Sequence, residues 1–467
     1  MSYPKRWTAL GVLSAAGLMT ILDGSIVTVA MPAIQADVGF SAAGLSWMVN
    51  AYLIPFGGLL LLAGRLGDLL GRRRMFLAGT AVFTAASLLA GVANGPGLLI
   101  TARFLQGVGS ALASAVVLGI LVTLFTDPGE RGKAIAIFSF TGAAGASIGQ
   151  VLGGVLTDAL SWPWIFFINV PIGIATIALA LVALPADRGA GWSAGTDVLG
   201  AVLVTGGLTL GIYTIVTSGP YAWITGTVAL ALLAGFVIRQ ATARDPLMPL
   251  RILRSRDVTG ANLAQMLTVS GMFAFQVLVA LHMQNVLGYG ALETGLAMLP
   301  AAVGIGVVSL FASAPLSARF GARTVLPAGL LMLVAAMALL ARVPEHASYV
   351  TDLLPVMLLI SGGGLVLPAL ATLGMSGARD DDAGLASGLF NTTQQVGMAL
   401  GVAVLSTLAA TRTGNLLAGG ASPAAALTGG YRLAFATSAG LLAAAFLVAL
   451  IALRRPARIA TPERAPA

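Results

Sequence analysis

The chain has 467 residues, of which 58% are hydrophobic and only 9% charged, and its formal net charge is +8. A soluble chain carries about 25% charged residues, so this one lacks the polar surface to cover a globule in water and reads as an integral membrane protein. It has no cysteine and two histidines, His282 and His346, which excludes disulfides, thiol catalysis and a multi-histidine metal site.

The apolar runs are long and continuous rather than alternating, so they predict helices and not the strands of a barrel. Fourteen spans are expected, at 7–31, 45–63, 75–93, 97–124, 134–157, 163–184, 195–217, 221–238, 258–286, 294–317, 324–342, 352–374, 384–410 and 431–453. An even number places both termini on one side. Of the 25 basic residues, all but Arg103, Arg342, Arg412 and Arg432 fall in segments this map assigns to the cytoplasm, the asymmetry that sets orientation. The positive charge therefore marks short loops at a membrane surface and not a nucleic-acid patch interleaved with aromatics. The first run follows a basic start, as in a signal peptide. It is too long for one and holds Asp23, so it is read as an uncleaved span.

Asp23 lies midway along the first span. A carboxylate in hydrocarbon is expensive and is a functional hypothesis by default. It can bind and release a proton, attract a cationic cargo, or do both in exchange; a structural acid bonded to a neighbouring helix is the alternative. The surrounding Leu22-Asp23-Gly24-Ser25-Ile26-Val27-Thr28-Val29-Ala30-Met31-Pro32 resembles the first-helix motif of the fourteen-span drug:proton antiporters. That group usually has Thr at Ser25 and Asn at Thr28. In the second span, Asn50 and Tyr52 are candidates to line a cavity.

Between the second and third spans runs Gly64-Arg65-Leu66-Gly67-Asp68-Leu69-Leu70-Gly71-Arg72-Arg73-Arg74. This reads as a tight cytoplasmic turn. Its glycines let two helix ends approach closely, and Asp68 is one helical turn from Arg72, within pairing reach. The ordered Gly, Asp, Gly and Arg spacing resembles the signature loop of the major facilitator superfamily. The resemblance implies a conformational gate formed by Gly64, Arg65, Gly67, Asp68, Gly71, Arg72 and Arg73.

Arg103 is the one Lys or Arg expected deep within a span rather than at its end, and Arg103, Gln106, Gly107, Ser110 and Ser114 recur along one face of the fourth. A guanidinium there must face protein or a water-filled cavity. The sequence Arg-x-x-Gln-Gly-x-Gly resembles the superfamily's fourth-helix motif, which implies a part in proton transfer. Arg103 cannot deprotonate, so its role would be to tune a carboxylate or hold water; a static pair with Asp23 is the other reading. Gly142, Gly145, Gly149, Gly153 and Gly154 follow small-residue spacing along the fifth span, a face that lets helices pack closely and slide. They resemble the antiporters' glycine-rich fifth helix, with Gln150 where proline is usual. Gly145-Ala146-Ser147-Ile148-Gly149 also fits a hydrolase elbow, but inside a helix and without partners the match is chance. Next, Trp162-Pro163-Trp164-Ile165-Phe166-Phe167-Ile168-Asn169-Val170-Pro171-Ile172-Gly173 is similar to a stretch these antiporters share, apart from Pro163. Its tryptophans are expected to anchor at the interface.

In the ninth span Asn262, Gln265, Met266, Phe273 and Gln276 cluster on one face, and in the thirteenth Asn391, Gln394, Gln395 and Met398 do the same. With Asn50, Tyr52, Gln106 and Ser110 they are the candidate cargo-lining set; interhelical amide bonding explains each one equally well. His282 and Glu293 are expected at an exposed interface, and Asp380-Asp381-Asp382 as a helix cap. Arg319-Phe320-Gly321-Ala322-Arg323 echoes the arginine turn in a second half.

The expected fold is all-α and membrane-embedded: a major-facilitator arrangement of two six-helix bundles plus two extra central helices. Residues 1–188 form the first bundle, 189–257 the extra helices and a basic linker, 258–455 the second bundle, and 456–467 a disordered tail. The resemblance implies proton-coupled export of lipophilic drugs, antibiotics or dyes across a bacterial inner membrane by a monomer. It implies no cofactor beyond a proton gradient and no metal. A facilitator for one specific metabolite is the alternative; the missing His and Cys clusters disfavour an enzyme, and the lack of a soluble domain a sensor.

Overall fold

The computed structural model describes residues 5–41, 44–187, 189, 197–217, 219, 221–244, 246–248, 250–376 and 383–453. Arg188, Asp380–Asp382 and the expected tail lie outside them, as do the surroundings of Gly142 and the side chain of Phe273. The described residues contain helices and no strand. Helices α1 (Arg6–Val38), α2 (Trp47–Leu70), α3 (Arg72–Gly91), α4 (Pro96–Leu124), α5 (Pro128–Ala159), α6 (Trp164–Phe167) and α7 (Asn169–Ala183) pack together as the first bundle. A hairpin of α8 (Val198–Thr217) and α9 (Ala222–Thr242) follows. The second bundle comprises α10 (Arg256–Asn285), α11 (Ala291–Val307), α12 (Ala314–Phe320), α13 (Ala322–Leu340), α14 (Leu354–Ile360), α15 (Gly363–Ser376), α16 (Ala383–Ala418) and α17 (Pro423–Ala452). Among the described residues, 13 helical stretches are long and apolar enough to cross a bilayer. The remaining expected span lies within α5, packed along α1.

Three expected spans are interrupted. The sixth breaks between α6 and α7, where Pro171 has no N–H to give the Phe167 carbonyl. The tenth carries a π-helical segment, Val308–Ser313, ahead of Pro315, the kind of local shift a missing donor produces. The twelfth opens on a π-helical turn and breaks at Ser361–Gly362. There a Cβ on Gly364 would lie 2.4 Å from the Ile305 carbonyl oxygen, so the glycines let α15 press on α11.

The arginine turn is shorter than its sequence suggests. Helix runs through nearly all of it, and Gly71 alone joins α2 to α3, with φ 102°. Gly321 joins α12 to α13 in the same way, with φ 82°. Only glycine takes such a backbone at low cost. The internal repeat therefore has a shared physical cause. Near it, Arg323 pairs with Asp257 of α10 at 2.9 Å.

Helices α3 and α4 approach each other backbone to backbone. A Cβ on Gly79 would sit 2.4 Å from the Ala113 nitrogen, and one on Gly109 2.5 Å from the Phe83 nitrogen. Backbone cannot yield as a side chain does. Gly109→Val is therefore expected to destabilise the protein by about 3 kcal/mol, read as a lowered thermal midpoint in detergent.

The hairpin is clasped at its base. Buried Asp197 accepts from the Gly200 N–H, Arg239 Nε and Gln240 Nε2 at 2.9, 2.9 and 2.8 Å. Gln240 in turn accepts from the Met248 N–H of the linker. Helix α8 lies on α2, where a Cβ on Gly58 would meet Thr205 at 2.6 Å, and it also touches α16.

The two bundles meet at the end opposite Gly71 and Gly321. Gly295 lies under the Gln150 carbonyl, Gly154 under Leu292, and Asp158 accepts from the Leu292 N–H at 2.8 Å. Gln284 donates to the Val29 carbonyl at 3.0 Å. Midway, Gly57 of α2 receives Gln395 of α16.

Candidate functional site

Five helices converge on Asp23. Arg103 and Gln106 are three residues apart on α4, so both point at α1. Arg103 Nη1 donates to Asp23 Oδ2 and to Gln106 Oε1, the latter at 2.8 Å. Gln106 Nε2 donates to Asp23 Oδ1 at 3.1 Å and to Ser87 Oγ of α3 at 2.8 Å. Asn169, the first residue of α7, donates from Nδ2 to Asp23 Oδ1 at 3.0 Å. Arg103 Nε reaches the Met48 carbonyl of α2 at 2.9 Å. The guanidinium lies 4.6 Å from the centre of the Tyr52 ring, and the Tyr52 and Ser110 hydroxyls are 3.0 Å apart.

Exposure decides what this cluster is. Asp23, Gln106 and Asn169 are 0% exposed and Arg103 is 1%. Removing two ions from water costs several kcal/mol each, recovered only with good geometry and further hydrogen bonds. Here the carboxylate accepts three donors and the guanidinium also finds a carbonyl, an amide oxygen and an aromatic face. The charged pair is closed off from solvent in this state and held inside the first bundle.

Tyr52, Gln106 and Ser110, expected to line a cavity, belong instead to this cluster. Helical periodicity identifies a polar face but not what it meets. Asn50 is buried with neither amide atom partnered among the described residues. It lies two turns before Gly57, on the face of α2 turned to α16. On α10, Asn262 spends its amide on its own helix, donating to the Val258 carbonyl, and Gln265 is buried with Oε1 unpartnered. Met266 lies against Gly397 of α16. Gln276, Asn391, Gln394 and Gln395 are half-buried.

The arginine turn forms a second cluster. Arg72 pairs with Asp68 at 3.0 Å and also donates to the Gly119 carbonyl and Thr123 hydroxyl of α4, at 2.9 and 3.2 Å. A Cβ on Gly67 would collide with Val116 of α4, and Gly64 faces Ala115. Arg73 donates to the Leu181 carbonyl of α7 at 2.6 Å, while Arg65 is exposed. Asp187 accepts from the backbone N–H groups of Arg72 and Arg73, capping α3. Gly145, Gly149 and Gly153 of α5 face Leu18, Leu22 and Ile26 of α1, and Gly154 faces α11.

Two expectations about the outer ends change. His282 is 1% exposed rather than interfacial, packed edge-on to Tyr431 at 5.9 Å. Trp162 is buried and donates to Asp37 at 2.7 Å, so it clamps α1 instead of anchoring in the interface. Glu293 caps α11 through the Gly290 N–H. Asn169, Ser87, Asp187 and Asp197 are functional or structural partners that the sequence alone does not single out. Asn169 carries a signal, an amide set in an otherwise apolar run.

The family model described as Major Facilitator Superfamily matches residues 13–402. The puromycin resistance protein Pur8 of Streptomyces alboniger is 38% identical, over 94% of this chain and 90% of its own. The cephamycin export protein CmcT of Amycolatopsis lactamdurans is 39% identical, over 87% of this chain and 85% of its own. In fold, the POT family transporter PepTSo superposes with a TM-score of 0.69 over 96% of this chain and 99% of its own, at 14% identity. With two helical bundles, a repeated glycine junction and a match across most of its length, the chain belongs to the Major Facilitator Superfamily and is a multi-pass membrane transporter, not an enzyme.

Proposed function

We propose that this transporter exports lipophilic small molecules of the antibiotic, drug or dye class in exchange for protons. Export of such compounds is what its relatives' names describe: puromycin resistance and cephamycin export. Proton coupling is supported above all by one observation, the fully buried Asp23 held by Arg103, Gln106 and Asn169. A carboxylate so enclosed does not meet cargo in this state. Its protonation would weaken the ion pair between α1 and α4 and shift the balance between facing states, because the two states then differ in affinity for the proton.

Cargo would bind between the bundles near midplane, against Asn50, Gln265, Met266, Phe273, Gln276 and the α16 stripe of Asn391, Gln394 and Gln395. Residues 1–188 and 258–455 would rock about it, with 189–257 forming the hairpin and linker. The protein would act as a monomer in the plasma membrane, with both termini cytoplasmic and no cofactor beyond the proton gradient. The glycines of α5 would let α1 and α11 slide, and Asp68–Arg72 would latch the Gly71 end.

Asp68→Asn is expected to lower turnover by roughly tenfold, a barrier change of about 1.4 kcal/mol, while cargo affinity moves less than about twofold. Unchanged turnover would remove the latch from the mechanism. The overall reading is tested by a toxicity panel in an efflux-deficient host, with and without a protonophore. Resistance that the protonophore abolishes supports proton-driven export, and resistance that survives it argues against.

A further inference from the structure

We infer that Asn169 is the residue that responds to the protonation of Asp23, by a half-turn of its side-chain amide. This rests on the reading of Asp23 as the coupling acid. The two oxygens of Asp23 face different partners. Oδ2 faces Arg103, which has donors and no acceptor. Oδ1 faces two amides, those of Gln106 and Asn169. A proton arriving from water therefore settles on Oδ1, giving a neutral carboxyl whose new O–H must find an acceptor. Both amides currently present N–H groups to that oxygen, so one of them has to turn.

The two amides are not equally free to do so. Gln106 is engaged at both ends, since its Oε1 accepts from Arg103 and its Nε2 also donates to Ser87. Turning it would break both bonds. The Tyr52 and Ser110 hydroxyls bond to each other, Tyr52 also reaches the Thr20 carbonyl, and neither bonds to Asp23 among the described residues. Asn169 is buried, and its Oδ1 has no partner among the described residues. Rotation about its Cβ–Cγ bond exchanges Nδ2 for Oδ1 opposite Asp23 and gives up no other bond. An N–H···O contact to the carboxylate becomes an O–H···O contact from the carboxyl. The proton stays on Asp23, and Arg103 keeps its charge throughout. Among the described residues, the charged and titratable groups facing Asp23 are Arg103 from α4 and Tyr52 from α2; α3 and α6 contribute Ser87 and the Phe166 ring. Asn169 acts through the acid it touches, so it is a positioning residue. Its place at the first turn of α7, just past the break after α6, puts the response at a junction in the chain.

The test is infrared pH-difference spectroscopy on the full-length protein in lipid, with isotopically labelled asparagine side chains. On acidification a carboxyl band absent from Asp23→Asn should grow, and an asparagine amide band should shift at the same midpoint. Asn169→Leu should lose the amide change. It should also slow gradient-driven transport at least tenfold while leaving cargo exchange without a gradient within twofold. If the carboxyl titrates and no asparagine band follows it, or if Asn169→Leu leaves the amide change or gradient-driven transport intact, the inference falls. If no Asp23 carboxyl band titrates at all, the coupling role of Asp23 falls first. Should Asn169→Leu fail to fold, the labelled unsubstituted protein compared with Asp23→Asn decides alone.

Discussion

Asp23→Asn is expected to abolish proton-driven export while leaving the protein folded and able to bind cargo. Asparagine keeps the shape of the side chain and an oxygen that can accept from Arg103, so the contacts across α1 and α4 survive in outline. What it loses is the charge and the proton site. The buried guanidinium is then left uncompensated, which costs about 3 kcal/mol at the lower end for breaking such a pair, and the thermal midpoint should drop accordingly. In proteoliposomes the variant should move a lipophilic dye down its own gradient but not accumulate it when a pH difference is imposed. Gradient-driven accumulation at the unsubstituted rate would show that coupling lies elsewhere.

The long apolar runs, the charge asymmetry and the paired glycine junctions are all legible in the order of the residues. Each is a local property, and membrane helices are largely determined by local composition. Asp23, Arg103 and Gln106 are legible for a related reason: polar residues inside apolar runs are conspicuous. The same rule marks Asn169, but the aromatic residues beside it point toward the interface instead. Asp187 escapes notice because a carboxylate just outside a span looks like ordinary solvated charge, and Asp197 because it stands only two residues past the expected start of its span, where a polar residue is ordinary. Their partners are the first N–H groups of α3 and the hairpin base of α8 and α9, contacts that exist only after helices pack. Periodicity fails for Tyr52, Gln106 and Ser110 in one respect. It places them on polar faces correctly and then joins those faces to a cargo cavity, whereas they meet one another inside a single bundle. The breaks inside the sixth, tenth and twelfth spans follow from proline and glycine at sites where hydropathy stays high throughout.

Arg103 offers the sharper discrimination between a static lock and a working couple. Arg103→Met alone leaves the Asp23 carboxylate buried with two amides and no counter-charge, and the expected loss is about 3–5 kcal/mol of stability. Pairing it with Asp23→Asn removes both ions. A buried pair replaced by neutral side chains of similar volume is often no less stable, so the double variant should recover most of that loss, with a coupling term of roughly 3 kcal/mol. Transport then separates the two roles. If the pair merely holds α1 against α4, regained stability should bring back export driven by a pH gradient. If the pair carries the proton, the double variant should regain most of the lost thermal stability and still be blind to the gradient, facilitating only downhill movement. The measurement is one set of vesicles assayed with and without an imposed pH difference, beside the unfolding midpoints of the two single variants and the double.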